Sequence, residues 1–161
     1  MDADVRDVTL GPIRAGEELE LFDLFARIVA AKEGYPQAPL LTRDVFDETW
    51  LHHAAVVVVA RCDEHVAGAY YLKPNQPGRA AHIANAGYVV DRAYRGHGIG
   101  RLLVEDSINR APTIGFDAIQ FNLVFASNPA RALYEELGWR QIGQVPEAVE
   151  GEDAIIYWRR V

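Results

Sequence analysis

Apolar positions along this chain fall into helical and strand-like groups, and the breaks between the groups mark the elements. Val5 to Leu10 reads as a first strand closed by Gly11-Pro12. Leu19, Phe22, Phe25, Ile28 and Val29 recur at helical spacing, which predicts a helix from Glu17 to Lys32 stopped by Gly34. The next stretch, Tyr35-Pro36-Gln37-Ala38-Pro39, cannot be helical, because each proline pushes the residue before it into extended backbone. Thr42 then reads as the N-cap of a short helix through Trp50, and this loop and helix form either a substrate lid or a plain connection.

Ala55 to Cys62 and Val66 to Leu72 read as strands around a tight Asp63-Glu64 turn, and Lys73 to Gly78 turns the chain into a strand from Ala81 to Val90. These three are expected to pair antiparallel in succession. Ile99, Leu102, Leu103 and Ser107 mark one face of a helix ending near Arg110, followed by a buried strand from Ala118 to Phe125. Asn128-Pro129 opens a further helix carrying Ala130, Leu133, Tyr134 and Leu137 and ending at Gly138; Trp139 to Val145 and Ala154 to Arg160 complete the set as strands. The chain shows no repeat, linker or low-complexity tract.

Composition narrows the class. A chain of 161 residues, 50% hydrophobic, matches one domain (residues 1–161) able to build a core without disulfides. The net charge of -7, with no basic run longer than Arg159-Arg160, argues against nucleic acid or an anionic membrane as partner. The single cysteine, Cys62, suits a reducing cytoplasm. The apolar run Ala54 to Ala60 is too short to span a bilayer, and charges near the N-terminus stand where a signal peptide would need an apolar core.

The chemistry concentrates in Tyr88 to Arg101, where a strand passes through a glycine-dense turn into a helix. Gly96, Gly98 and Gly100 let backbone N–H groups turn toward one point, and the helix start adds unpaired donors and a positive dipole end, which together suit a diphosphate. A Walker loop would need Lys followed by Ser or Thr after its last glycine, and the dinucleotide fingerprint needs G-x-G-x-x-G; the chain has Gly100-Arg101-Leu102 and G-x-G-x-G. An ordinary glycine turn without a ligand is the other reading.

Arg95-x-x-Gly98-x-Gly100 behind Val89-Val90 resembles the signature Q/R-x-x-G-x-G/A of the GCN5-related N-acetyltransferases (GNATs), and the element order resembles that family's order over the whole length. The resemblance implies an α/β (α+β) fold: a mixed, mostly antiparallel seven-stranded sheet flanked by about four helices and splayed beside the fourth strand. It implies acetyl-CoA as cosubstrate, held by Tyr88, Val89, Val90, Arg95, Gly96, His97, Gly98, Ile99, Gly100 and Arg101, with the Val90 N–H polarising the thioester carbonyl. Asn128 and Ala130-x-x-Leu133-Tyr134-x-x-Leu137-Gly138-Trp139 are similar to the family's second motif, in which the asparagine touches the pantetheine arm and the tyrosine faces the sulfur. Tyr134 is thereby the candidate general acid, since a phenol stays protonated at neutral pH and can donate to a leaving thiolate. Tyr134 lies six positions after Asn128 where the family has seven, so Asn128 reads equally as an N-cap.

The family's usual glutamate base is missing from both central strand stretches, and Asn85 and Asn122 stand in the corresponding places. An amide cannot take the proton, but it can orient the amine or a water that does. Lys73-Pro74-Asn75-x-Pro77-Gly78-Arg79, Asn85-Ala86-Gly87 and Phe121-Asn122-Leu123-Val124-Phe125 resemble the branch with fungal acetyltransferases for proline analogues and other small cyclic secondary amines, which implies a small amine or amino-acid-like substrate held by Asn85 and Asn122. The five histidines show no zinc spacing, so no metal is expected; His82 is an alternative base, and Cys62 lacks a histidine partner in sequence. The expectation is a cytoplasmic N-acetyltransferase for a small-molecule or amino-acid-like amine, with a homodimer open. A protein acetyltransferase and a non-catalytic acyl-CoA sensor are the alternatives.

Overall fold

The computed structural model describes residues 7–161 and shows a seven-stranded sheet in the order β1-β2-β3-β4-β5-β7-β6. The strands are β1 (Thr9–Pro12), β2 (Val56–Cys62), β3 (His65–Pro74), β4 (Ile83–Val90), β5 (Ala118–Phe125), β6 (Arg140–Val149) and β7 (Glu152–Arg160); the helices are α1 (Glu17–Ala30), α2 (Arg43–Trp50), α3 (Ile99–Arg110) and α4 (Arg131–Glu136). Every neighbouring pair is antiparallel except β4 with β5. The expected mixed, mostly antiparallel sheet with four helices is therefore the fold.

Several boundaries differ from the sequence reading, four of them for a clear physical reason. The first strand begins at Thr9 and includes Gly11 and Pro12, because β1 is an edge strand that tolerates a proline; Val5 and Arg6 of the expected strand lie outside the described residues. Helix α1 stops at Ala30, where Lys32 takes the left-handed position (φ 56°) and the N–H groups of Lys32 and Glu33 close on the carbonyls of Val29 and Ile28. Helix α4 starts at Arg131, so Pro129 sits in a turn ahead of it. The β6–β7 hairpin runs to a Glu150-Gly151 turn; Pro146 is accommodated because β6 is an edge strand with a bulge between Val145 and Val149.

Two cores sandwich the sheet. Leu21, Leu24, Phe25, Ile28 and Val29 of α1, with Phe46 and Trp50 of α2, cover Val57, Val59, Ala69, Tyr71 and Val89. Ile99, Leu103 and Val104 of α3, with Tyr134 and Trp139, cover Tyr70, Leu72, Ala86, Phe121 and Tyr157 on the other face. Each fully buried Leu, Ile or Phe contributes about 1.5–3 kcal/mol, so these faces hold both helix layers firmly to the sheet. Arg61 adds a clamp. Its guanidinium pairs with Glu17 at 2.6 and 2.9 Å and donates to the Pro12 carbonyl at 2.8 Å, tying β2 to β1 and to the first turn of α1.

The consequence for function lies between β4 and β5. They pair only over Ile83–Asn85 against Ala118–Gln120, while β4 stays on β3 through Val90 and β5 follows β7. The Ile83 carbonyl accepts from Asn75 on the β3 side and the His82 carbonyl accepts from Asp117 on the β5 side. By that alternation the main-chain groups of Ala86, Tyr88 and Val90 face the gap left by β5. A bulge at Asn122-Leu123, two residues opposite Ile156, bends β5 beyond the divergence.

Candidate functional site

The gap opens into a cleft of about 980 Å³ lined by β4 from Asn85 to Val90, β5 from Phe121 to Phe125, Tyr134 of α4, the loop Gly34 to Pro39, and Val149, Glu150 and Glu152 of the last hairpin. At one end lies the glycine turn. Gly96 and Gly98 both have φ of 82°, and nothing approaches within 4 Å of the place where a Cβ would sit on either. Gly100 departs from the expected pattern, since it lies inside α3 with ordinary backbone and its Cβ would meet Val90 at a comfortable 3.8 Å. Among the described residues, no backbone N–H from Gly96 to Arg101 donates to a protein acceptor, while Leu102 closes the first helical bond to the Gly98 carbonyl. The donors of the turn, those of His97 and Ile99 included, are thus left without a protein acceptor. Ile99 is buried against Leu103 and anchors the helix start.

The side chains around the turn are committed elsewhere. Arg95 donates to the Val90 carbonyl at 3.2 Å and pairs with Glu33 at 2.6 Å, and Arg92 pairs with the same carboxylate. Burial opposes ionisation of Glu33, but the two guanidiniums outweigh it and hold its carboxyl below the ordinary range. Arg101 turns to Glu136 of α4 at 2.8 Å. Tyr88 packs into the α3 core with its hydroxyl on Ser107 at 2.8 Å, and Val89 faces the α1 layer.

Tyr134 is 8% exposed, walled by Phe121 at 4.6 Å and Trp139 at 5.9 Å between ring centres. Burial, then the neighbouring Tyr157, pushes its phenol up, and no protein partner for its hydroxyl occurs among the described residues. A protonated hydroxyl with a spare donor lines the cleft. Asn128 does not cap α4: its Oδ1 accepts from Ala130 N at 2.9 Å in a turn that precedes the helix, and Ala130 is the N-cap. Its Nδ2 instead points across the cleft toward Gly34.

The two asparagines part company. Asn85 sits at the vertex, where Nδ2 donates to the Gln120 carbonyl of β5 at 3.0 Å and Oδ1 faces the Tyr71 hydroxyl at a long 3.5 Å. Asn122 is exposed on the rim, with Nδ2 on Asn75 Oδ1 at 2.6 Å and Oδ1 accepting from Gln120 at 3.1 Å. His82 lies outside the cleft lining, exposed, its ring on the Arg79 carbonyl. Cys62 is buried at the end of β2.

Sequence reasoning missed Tyr35, Tyr71, Glu150 and Glu152, all of which line the cleft. Tyr71 could have been found, because it alternates with Lys73 on the strand face that meets Asn85 and Gly87 across β4. The glutamates carry no local signal; only the length of the last hairpin brings them over the cleft, where Glu150 pairs with Lys32 at 3.2 Å and Glu152 accepts from Ser127 N at 2.7 Å. No helix among the described residues is long and apolar enough to cross a membrane.

This geometry has known counterparts. A GCN5-related N-acetyltransferase from Kribbella flavida is 33% identical and superposes with a TM-score of 0.89 over 97% of this chain and 99% of that one. The fold is shared at 16% identity by yncA of Salmonella typhimurium, a putative acetyltransferase solved with its cofactor acetyl-CoA (TM-score 0.81, 95% of this chain and 93% of that one). N-acetyltransferase aca1 of Schizosaccharomyces pombe is 45% identical over 82 residues, which are 50% of this chain and only 39% of that protein's length. The profile of the acetyltransferase (GNAT) family matches residues 20–139, most of the chain. The chain therefore belongs to the GNAT acetyltransferase family.

Proposed function

We propose that this protein transfers an acetyl group from acetyl-CoA to the amine of a small molecule. One observation carries the reading: the β4 edge that β5 leaves unpaired and the free hydroxyl of Tyr134 line one cleft, which the glycine turn with its free N–H donors joins at Arg95 and Gly100. The cradle suits a diphosphate, since its open side is where side chains at Gly96 and Gly98 would project. Acetyl-CoA, when bound, supplies an acyl thioester. The Val90 N–H faces the gap and can polarise its carbonyl, Asn85 orients the amine at the vertex, and the neutral nitrogen attacks. As the C–N bond forms and the C–S bond breaks, the electron pair goes to sulfur, which takes the Tyr134 proton; the proton lost by nitrogen leaves through water and restores the phenol.

A small acceptor is favoured because the loop Tyr35–Pro39 lines the cleft on the α1 side and Lys32, just past α1, reaches Glu150 of the last hairpin at 3.2 Å. Buried Cys62 suits a reducing compartment, so we assign the reaction to the cytoplasm. The test is release of free CoA thiol when the protein is mixed with acetyl-CoA and a panel of amines. Thiol release with matching acetylated amine is expected; tight acetyl-CoA binding without turnover on any amine would leave a non-catalytic acyl-CoA sensor.

A further inference from the structure

A second cavity, of about 150 Å³, adjoins the cleft and shares Ile28, Glu33 and Arg95 with it. Its charged lining sets one carboxylate, Glu33, against three guanidiniums, those of Arg27, Arg92 and Arg95. The short turn Arg92–Tyr94, which leads from β4 into the glycine turn, holds the three together. Asp91 caps that turn with Oδ1, which accepts from Ala93 N at 3.0 Å, and its Oδ2 accepts from Arg27 at 2.8 Å. Glu33 pairs with Arg92 and, at 2.6 Å, with Arg95. Among the described residues, these two carboxylates and the Val90 carbonyl are the only acceptors that the three side chains meet. Most of the N–H donors of each guanidinium therefore stay unspent. Three cations against two carboxylates leave an excess of positive charge beside the cradle, in a chain whose net charge is -7. Arg27 and Arg92 are exposed, so a solute can reach them.

We propose that this cavity is a phosphate-monoester site, in which Arg27, Arg92 and Arg95 hold the dianion through charge-assisted hydrogen bonds. The planar guanidinium fork matches phosphate oxygens in a way that an ammonium does not, and all three cations are arginines. On the acetyltransferase reading, on which this rests, the occupant is the 3′-phosphate of CoA. That group is a monoester separated from the diphosphate by a single ribose, and the backbone donors of the glycine turn suit the diphosphate alone. Arg101, on the other side of the turn, is committed to Glu105 and Glu136. Glu33 and Asp91 fix the directions of the three guanidiniums without neutralising all of them. Free phosphate offers the same oxygens and charge, and is the other source of the same ligand chemistry.

Calorimetry at fixed ionic strength compares acetyl-CoA with its 3′-dephospho analogue in the parent, Arg27→Gln, Arg92→Gln and the double variant, and titrates inorganic phosphate into each. The parent should bind the analogue about ten- to a hundredfold more weakly, the worth of hydrogen bonds to a charged group. Each single variant should narrow that gap and the double variant close it, while affinity for the analogue holds. Two CoA forms bound alike by the parent, with inorganic phosphate bound by the parent and lost in the double variant, would assign the same site to free phosphate. Equal weakening of both CoA forms by the substitutions, or a parent that neither discriminates between them nor binds phosphate, would overturn the inference and leave the acetyltransferase reading standing. A parent that binds neither CoA form would remove that reading and the inference with it.

Discussion

Glu33 holds Arg95 at 2.6 Å while the same guanidinium donates to the Val90 carbonyl, so the end of α1 fixes an arginine at the mouth of the glycine turn. One carboxylate there faces two guanidiniums, those of Arg92 and Arg95. Glu33→Gln should therefore leave uncompensated positive charge beside the cradle and tighten acetyl-CoA binding about two- to fivefold at low salt, an advantage that fades as ionic strength rises. Calorimetry at two salt concentrations checks it; weaker binding at both would mean that Glu33 serves to shape the loop.

Gly98→Val should abolish measurable acetyl-CoA binding while the chain stays folded. The residue has φ of 82°, which a β-branched side chain resists, and the valine would fill the space in front of the free N–H groups. Gly100→Ala makes the contrast, since its Cβ meets only Val90 at 3.8 Å and its backbone is helical. An equal loss in both variants, at unchanged melting temperature, would show that the turn conformation is not what matters.

Asn85→Ala and Asn122→Ala should behave differently although both stand at strand positions where the family's glutamate base is expected. Asn85 joins β4 to β5 at the vertex and orders Tyr71, so its loss should lower kcat/KM for the amine about ten- to a hundredfold. Asn122 bonds only to side chains on the exposed rim, so its loss should cost less than threefold. Steady-state kinetics on one amine distinguish them.

Stability should fall on acidification through Glu17. Its carboxyl is held below the ordinary 4.5, first by the hydrogen bond from Arg61, against the opposing effect of burial. A carboxyl that titrates lower in the folded chain than in the unfolded one stabilises fully above the unfolded value, and that contribution disappears as pH falls through the lowered one. Thermal melts between about pH 6 and 3 should show a drop that is smaller in Glu17→Gln, which starts lower at neutral pH. Parallel curves would exclude the Arg61 clamp as a source of acid sensitivity.

The fold was legible because each element carries its own signal: Thr42 caps α2 by accepting from Val45, and Asp63-Glu64 forms the tight turn with both residues at positive φ. The glycine turn was legible for the same reason, although Gly100 serves the helix and not the turn. What could not be read depends on long-range geometry. The divergence of β5 from β4 follows from which partner each strand keeps, and the Asn122-Leu123 bulge that turns Asn122 outward has no local mark. The hydrogen bond from the Tyr35 hydroxyl to the Tyr88 carbonyl at 3.1 Å joins residues far apart in the chain and exists only in the folded state.

If Tyr134 protonates the departing CoA sulfur, its loss must show in kcat of Tyr134→Phe. The ring keeps its packing on Phe121 and Trp139, so the fold and the acetyl-CoA dissociation constant should hold. A general acid contributes about 10²- to 10⁴-fold, and because a thiol is already a fair leaving group the loss should fall near a hundredfold. Under conditions shown to be limited by chemistry, a drop of that size in kcat with unchanged acetyl-CoA affinity is the expected result. A Phe variant retaining the parent's kcat would remove the general-acid role and leave Tyr134 as a core aromatic.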